Sequence, residues 1–495
     1  HGMYEQFETI WVLLAYCIFT FFTFTVVNRT QDLRVIRKAL LYLLVVLCFI
    51  GFTQLVGKDF FESPTGRTVI VPESLASLRN NLTFNFSGSG NHQVYLTLYN
   101  PNYVGLFVSF MLPITITLAI SAESIVKKVV WGLVSISLFV LVFGSGSKSF
   151  ILAFAGVAVF ALIFFRKQLL KKWPVILGVG AVAVVAGLLY FNYVGVNIVS
   201  YMGNALKMTK NDYKLTNADV QENGVVFTYG GNKLVFNFEK VDMEDGQTGA
   251  YMIFSDESGT ILDLESREDG QYLTDPRFEG VSSRLMTANN PYQVAAMISF
   301  GDVSKYLSFV KDETGYHYYS IAGKVDEIVN APSAIFTDYD GMASGRGYIW
   351  SRTIPVMMKH FFIGTGADTF AIAFPHNDYV GRLNSGYGNL IITKPHNMYL
   401  QIGTQLGVVA LLCFLALTVI LIVDSFKLYW NFDVTNPTEV FGIGITLGVI
   451  GYLISGVAND SCVSTAPIFW IFVGLGYAVN KIVKKQREDS SVSAN

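Results

Sequence analysis

Three polar clusters stand beside long apolar blocks, and their residue types suit chemistry on a phosphorylated substrate. The first is Gly144-Ser145-Gly146-Ser147-Lys148-Ser149, a turn of small residues holding one cation. Small residues let backbone approach a phosphate, and Lys148 supplies charge. The plainer reading is a lysine snorkelling at a helix end. The second is Ser344-Gly345-Arg346-Gly347-Tyr348-Ile349-Trp350-Ser351-Arg352, where Arg346 lies between two glycines, as close approach of an anionic ligand requires. The alternative for Arg346 and Arg352 is a structural ion pair with Asp338 or Asp340. The third is Lys394-Pro395-His396-Asn397. A neutral imidazole there can take a proton near physiological pH; the bland alternative is a helix cap. His376, in Phe374-Pro375-His376-Asn377-Asp378, is a second imidazole. This reading expects His396, Arg346 and Lys148 to react, with Lys394, Arg352, His376 and Asn397 as binding groups.

Apart from Asp338 and Asp340, the ion-pair partners named above, no carboxylate pair or Asp-x-Asp spacing stands near these clusters. Acidic pieces at 242–245 and Asp256-Glu257 read as solvated turns, and Gly364-x-Gly366 lacks the strand–helix context of a nucleotide site. Four scattered cysteines allow neither a disulfide framework nor a zinc spacing in the long polar stretch. The expectation is no metal and no cofactor. The net charge of -2 gives no sign of nucleic-acid binding.

The elements that must position these clusters are membrane spans. Of 495 residues, 52% are apolar and 15% charged, against about 25% charged in an ordinary soluble domain. Apolar blocks near bilayer-crossing length fall at 7–27, 39–57, 103–121, 129–143, 149–165, 175–195, 398–423, 440–458 and 464–480. Arg29, Arg34, Arg37, Lys38, Lys127, Lys128, Arg166, Lys167, Lys171, Lys172 and Lys481 to Arg487 fall in alternate loops. Those loops are therefore assigned to the cytoplasm. The 58–102 loop, the 144–148 turn and the 197–397 segment are then extracytoplasmic.

Within that segment, Val225–Tyr229, Gly230-Gly231-Asn232 and Leu234–Phe238 read as a β-hairpin. Further strands are expected at 251–254, 295–300 and 316–322, as in a β-sandwich. The expected organisation is a six-span bundle at 1–196, a β-rich insert at 197–338 and a membrane-proximal catalytic segment at 339–397. Three spans at 398–482 and a cytoplasmic tail at 483–495, expected to be disordered over its Ser-rich part at 486–495, complete it.

These residues resemble the O-antigen ligase and O-antigen polymerase superfamily of bacterial polytopic membrane glycosyltransferases. Lys148 and Leu152 match a basic residue followed four positions later by Leu, with Lys where the family usually has Arg. His396 and Gly407 match a His followed eleven positions later by Gly. Arg346, Trp350, Gly364-Thr365-Gly366 and Phe370 resemble the stretch before that His, and Asn100-Pro101-Asn102-Tyr103 the start of an earlier helix. The matches run from about 99 to 410 and exclude the β-rich insert. The resemblance implies a GT-C-like helical bundle, an undecaprenyl-pyrophosphate-linked glycan donor, a glycan acceptor hydroxyl and no metal. It also implies further spans before residue 1, since the family has both ends inside. The rival classes are a flippase for lipid-linked sugars, which would want charges buried within the spans, and a membrane-anchored glycan sensor.

Overall fold

The computed structural model describes residues 7–82, 93–168, 209–242, 248–289, 291–388 and 390–493. The chain forms two compact units. One comprises 1–201, 360–369 and 396–495; the other comprises 202–359 and 370–395.

The first unit is helical: α1 (Ile10–Val26), α2 (Thr30–Leu55), α3 (Pro64–Ile70), α4 (Pro101–Ser121), α5 (Ile125–Ser145) and α6 (Lys148–Phe164). Six helices of the described residues are long and apolar enough to cross a bilayer, and α1 and α6 are shorter apolar helices. Outward residues such as Trp11, Phe21, Phe22 and Phe49 leave more than half their area exposed, as a lipid-facing surface requires. The expected span at 175–195 lies outside the described residues. α4 begins where the sequence marks it: Asn100 Oδ1 accepts from Asn102 N–H, and Pro101 fills the first turn.

The other unit contains two antiparallel sheets: β1–β4 in order (Leu215–Gln221, Gly224–Tyr229, Asn232–Asp242, Thr248–Asp256), and a second in which β5 (Leu264–Arg267), β6 (Gly270–Leu273), β7 (Val281–Thr287), β8 (Val294–Phe300), β9 (Asp302–Asp312), β10 (Gly315–Tyr319) and β11 (Val325–Asp326) follow one another in chain order. The expected hairpin is β2–β3, closed by Gly230 and Gly231 at φ 56° and 82°. That left-handed pair costs glycine no Cβ clash. Phe227, Phe236, Phe238 and Phe254 of one sheet share a core with Ile298 and Phe309 of the other, which makes the unit a sandwich. Tyr316, Tyr318 and Tyr319 are each at most 7% exposed, so they belong to buried cores and offer no sugar-stacking face.

The same unit holds α7 (Met342–Lys359), α8 (Phe370–Ala373) and α9 (Tyr379–Asn384). The 339–397 segment is therefore divided. Tyr379, Val380 and Leu383 of α9 enter the sandwich core. Residues 360–369 belong to the helical unit, where Thr365 and Gly366 N–H donate to Thr404 and Gln405 carbonyls.

The helical unit resumes with α10 (Met398–Leu406), α11 (Val408–Tyr429), α12 (Pro437–Ser455) and α13 (Ala466–Ser493). The block expected as one span at 398–423 is broken at Gly407, with φ 90°. A Cβ there would meet the Phe362 carbonyl, and one at Gly364 would meet the Gln405 carbonyl. The two glycines let the 361–366 strand of chain lie directly against the helix break. The tail expected to be disordered instead continues α13 to Ser493. Arg487 secures it by donating to Glu439 Oε1 at 3.0 Å and the Leu428 carbonyl at 2.7 Å.

Candidate functional site

His396 stands one residue before the Asn397 cap of α10, in left-handed backbone at φ 52°. Such a conformation is sparse outside glycine and persists where surroundings over-determine it. Here the surroundings are the 456–465 connection between α12 and α13. Met398 N–H donates to the Gly456 carbonyl at 2.8 Å. Asn397 N–H donates to Asp460 Oδ1 at 3.2 Å. The other carboxylate oxygen, Asp460 Oδ2, lies 3.3 Å from His396 Nδ1. The side chain of Asp460 is 1% exposed and that of His396 is 35% exposed. A buried carboxylate thus faces one ring nitrogen, favouring a proton on Nδ1 and leaving Nε2 as the basic nitrogen.

The Lys148 turn is joined to the same connection. α5 ends at Ser145 with Gly146 in left-handed backbone, and α6 opens at exposed Lys148. Next to it, Ser149 Oγ accepts from Asn459 Nδ2 at 2.7 Å, and Ser455 Oγ donates to it at 3.2 Å. Asn459 adjoins Asp460, so one short loop ties the small-residue turn to the imidazole. A third strand of the network comes from Glu8. Its carboxylate accepts from Ser461 Oγ at 2.8 Å, Tyr16 Oη at 3.1 Å and Gln401 Nε2 at 3.2 Å.

Asn397 serves here as a helix cap, its Oδ1 accepting from Tyr399 and Leu400 N–H. A residue expected to bind substrate thus has a structural task as well. Asp460, Asn459 and Glu8 escaped the sequence reading. The available signal was the Asn459-Asp460-Ser461 triplet between two apolar blocks; it was obscured because the eighth span was drawn to 458.

In the other unit, Arg346 opens the regular part of α7 after three left-handed residues, Ala343, Ser344 and Gly345. Its Nη1 donates to the Ala343 carbonyl at 2.9 Å. A Cβ at Gly347 would meet the Tyr339 carbonyl, which explains the glycine after Arg346. Arg352 faces inward. Its Nη1 lies 2.8 Å from Asp340 and its Nε 3.2 Å from Asp378, while its guanidinium carbon sits 4.4 Å from the Tyr348 ring centre. Arg352 is therefore occupied in a buried ion-pair cluster, the structural alternative stated for it above. Burial raises the Asp340 carboxyl above its ordinary value, against the opposing pull of Arg352. Tyr348 donates to Asp378 at 3.0 Å, and burial pushes its phenol up.

His376 is also held internally: Nε2 lies 2.9 Å from the Ala371 carbonyl. Burial, then Arg382, lowers its pKa. Arg382 donates to the His376 and Leu390 carbonyls, each at 2.6 Å. Lys394 is buried, at 7% exposure.

Apolar helices of spanning length define a multi-pass membrane protein. Residues 293–415 match the O-antigen ligase family, so the resemblance read from the sequence holds over that stretch, and it points to a glycosyltransferase-type enzyme. The matched stretch contains Arg346, Arg352, His376, Lys394, His396 and Gly407; Lys148 and Asp460 lie outside it. No curated protein and no solved structure matches the chain significantly.

Proposed function

We propose that the chain is a GT-C-like membrane glycosyltransferase that builds surface polysaccharide. It moves a glycan from an undecaprenyl-pyrophosphate-linked donor to an acceptor hydroxyl at the outer face of the membrane. The observation that carries this reading is the open imidazole of His396 set 3.3 Å from buried Asp460, within reach of the family's matched stretch.

His396 Nε2 takes the proton of the acceptor hydroxyl. The freed oxygen attacks the anomeric carbon from the face opposite the diphosphate. The anomeric C–O bond breaks, and undecaprenyl pyrophosphate leaves with the electron pair, so the configuration inverts. Asp460 stabilises the imidazolium that forms and fixes the ring's tautomer, as the acid does in a hydrolase triad. Charge builds on the departing diphosphate, and a preplaced cation stabilises it better than reorganising water does. Lys148 at the start of α6 is assigned that task, helped by the positive end of the helix dipole. Arg346, between Gly345 and Gly347, is the second cation we assign to a diphosphate. Nothing in the step needs a metal or nucleotide.

The test is transfer by purified protein in lipid, given a lipid-pyrophosphate glycan. His396→Ala is expected to lower kcat by roughly 10²–10⁴, the usual worth of a general base. Full transfer by that variant would remove the base from the scheme. The wild type supplied with donor alone forms longer chains if it is a polymerase, and none if it is a ligase.

A further inference from the structure

The basic loops assigned to the cytoplasm gather at one end of the helical unit. Arg37 Nη2 donates to the Pro437 carbonyl at 3.1 Å, Lys481 to Asn28 Oδ1 at 3.0 Å, and Arg166 to the Trp430 carbonyl at 2.7 Å. Positive loops need only lie on the cytoplasmic side to set topology. The basic residues around Arg37 and Lys127 also line a cavity. A pocket of about 500 Å³ opens between the first turns of α2, α5 and α12 and the last turn of α4. Arg34, Arg37 and Lys38 line it from α2, and Lys127 and Trp131 from α5. Four cations there face one carboxylate, Glu123, whose own contact is Lys127 at 3.4 Å.

Arg37 is the fixed member. Its guanidinium carbon lies 4.6 Å from the Phe441 ring centre. Its Nε is buried and has no hydrogen-bond partner among the described residues. A buried donor left unpaired costs free energy that an acceptor oxygen would recover. The rim beside the cations is apolar and outward-facing: Val35, Tyr42, Ile125 and Val126 are each at least 67% exposed. Phosphate oxygens match the cations, and acyl chains match that rim.

We propose that this pocket binds the phosphate headgroup of an anionic phospholipid, with the chains lying on the exposed faces of α2 and α5. Basic pockets between membrane helices on this side bind such headgroups. The site is separate from His396 and does not rest on the glycosyltransferase reading.

The test uses the full-length protein in phosphatidylcholine nanodiscs, with phosphatidylglycerol added, read by thermal unfolding and by the lipid retained in native mass spectra. The expected result is one tightly retained phosphatidylglycerol and a rise in Tm that phosphatidylcholine does not give. Lys127→Gln and Lys38→Gln, both on exposed side chains, weaken retention by about fivefold each without changing Tm in phosphatidylcholine. Arg37→Gln removes it further. Equal retention of both lipids, or retention unchanged in the Lys127→Gln/Lys38→Gln double variant, overturns the proposal. So does an equal Tm rise with soluble glycerol phosphate, which would make the ligand a free phosphate rather than a lipid.

Discussion

Asp460 and Asp340 are almost equally buried, at 1% and 2% of their possible exposure, yet their partners make them opposite devices. A buried carboxylate must be paired or it neutralises. Asp340, with Asp378, faces Arg352, a cation that keeps its proton at any physiological pH and is itself 12% exposed. Asp460 faces an imidazole that can gain and lose a proton and is one third exposed. The first arrangement closes on itself and holds a fold. The second leaves part of its partner ring open to solvent. Burial of charge alone therefore does not tell the two apart; the partner's identity and exposure do.

Breaking the closed device gives the larger of the remaining effects. Arg352→Ala leaves two carboxylates buried without their cation, which costs roughly 3–5 kcal/mol. A marked fall in Tm of the purified protein is expected, with proteolysis appearing inside 202–359. Adding Asp340→Asn and Asp378→Asn should recover much of the loss, because the uncompensated charge goes with them. An Arg352→Ala protein as stable as wild type would mean that the cluster supports nothing.

Asp460→Asn tests the open device. The amide keeps an oxygen for the Asn397 N–H, so stability should hardly change. It cannot balance an imidazolium, and kcat should fall by at least about 10²-fold with KM unchanged. A loss of Tm with unchanged kcat per folded molecule would place Asp460 with Asp340, as a structural acid, and erase the contrast.

The sequence made one side of this contrast visible and hid the other. Among the described residues seven of the expected spans appear as single helices, and an eighth as two, because a bilayer demands a run of apolar side chains whatever they pack against. The β2–β3 hairpin was readable because Gly230-Gly231 carries its turn locally. His396 stood out through its neighbours in the chain. Asp460 did not, since its meaning comes from Asn397 and His396, more than sixty residues away. Arg352, expected as a binding group or as an ion-pair partner of Asp338 or Asp340, could not be decided from the sequence because residue type is silent about which way a helix turns its side chains. The break at Gly407 needed the Phe362 carbonyl, a long-range contact that no local pattern records.

The smallest expected effect concerns the second imidazole. His376 has a buried Nδ1 without a hydrogen-bond partner among the described residues, and Nε2 is directed at a carbonyl. Protonation would bury a second N–H beside Arg382, so the folded protein holds the ring's pKa below the ordinary 6.5. The sign follows: above that ordinary value neither state binds the proton, and the full stability is present. As pH falls below it, the unfolded chain takes the proton first, and stability declines until the folded-state pKa is reached. His376→Gln should remove this part of the acid slope of Tm while leaving transfer at neutral pH intact. If His376 instead bound substrate, transfer would fall at neutral pH and the acid slope would persist, which would move it from the closed kind of site to the open one.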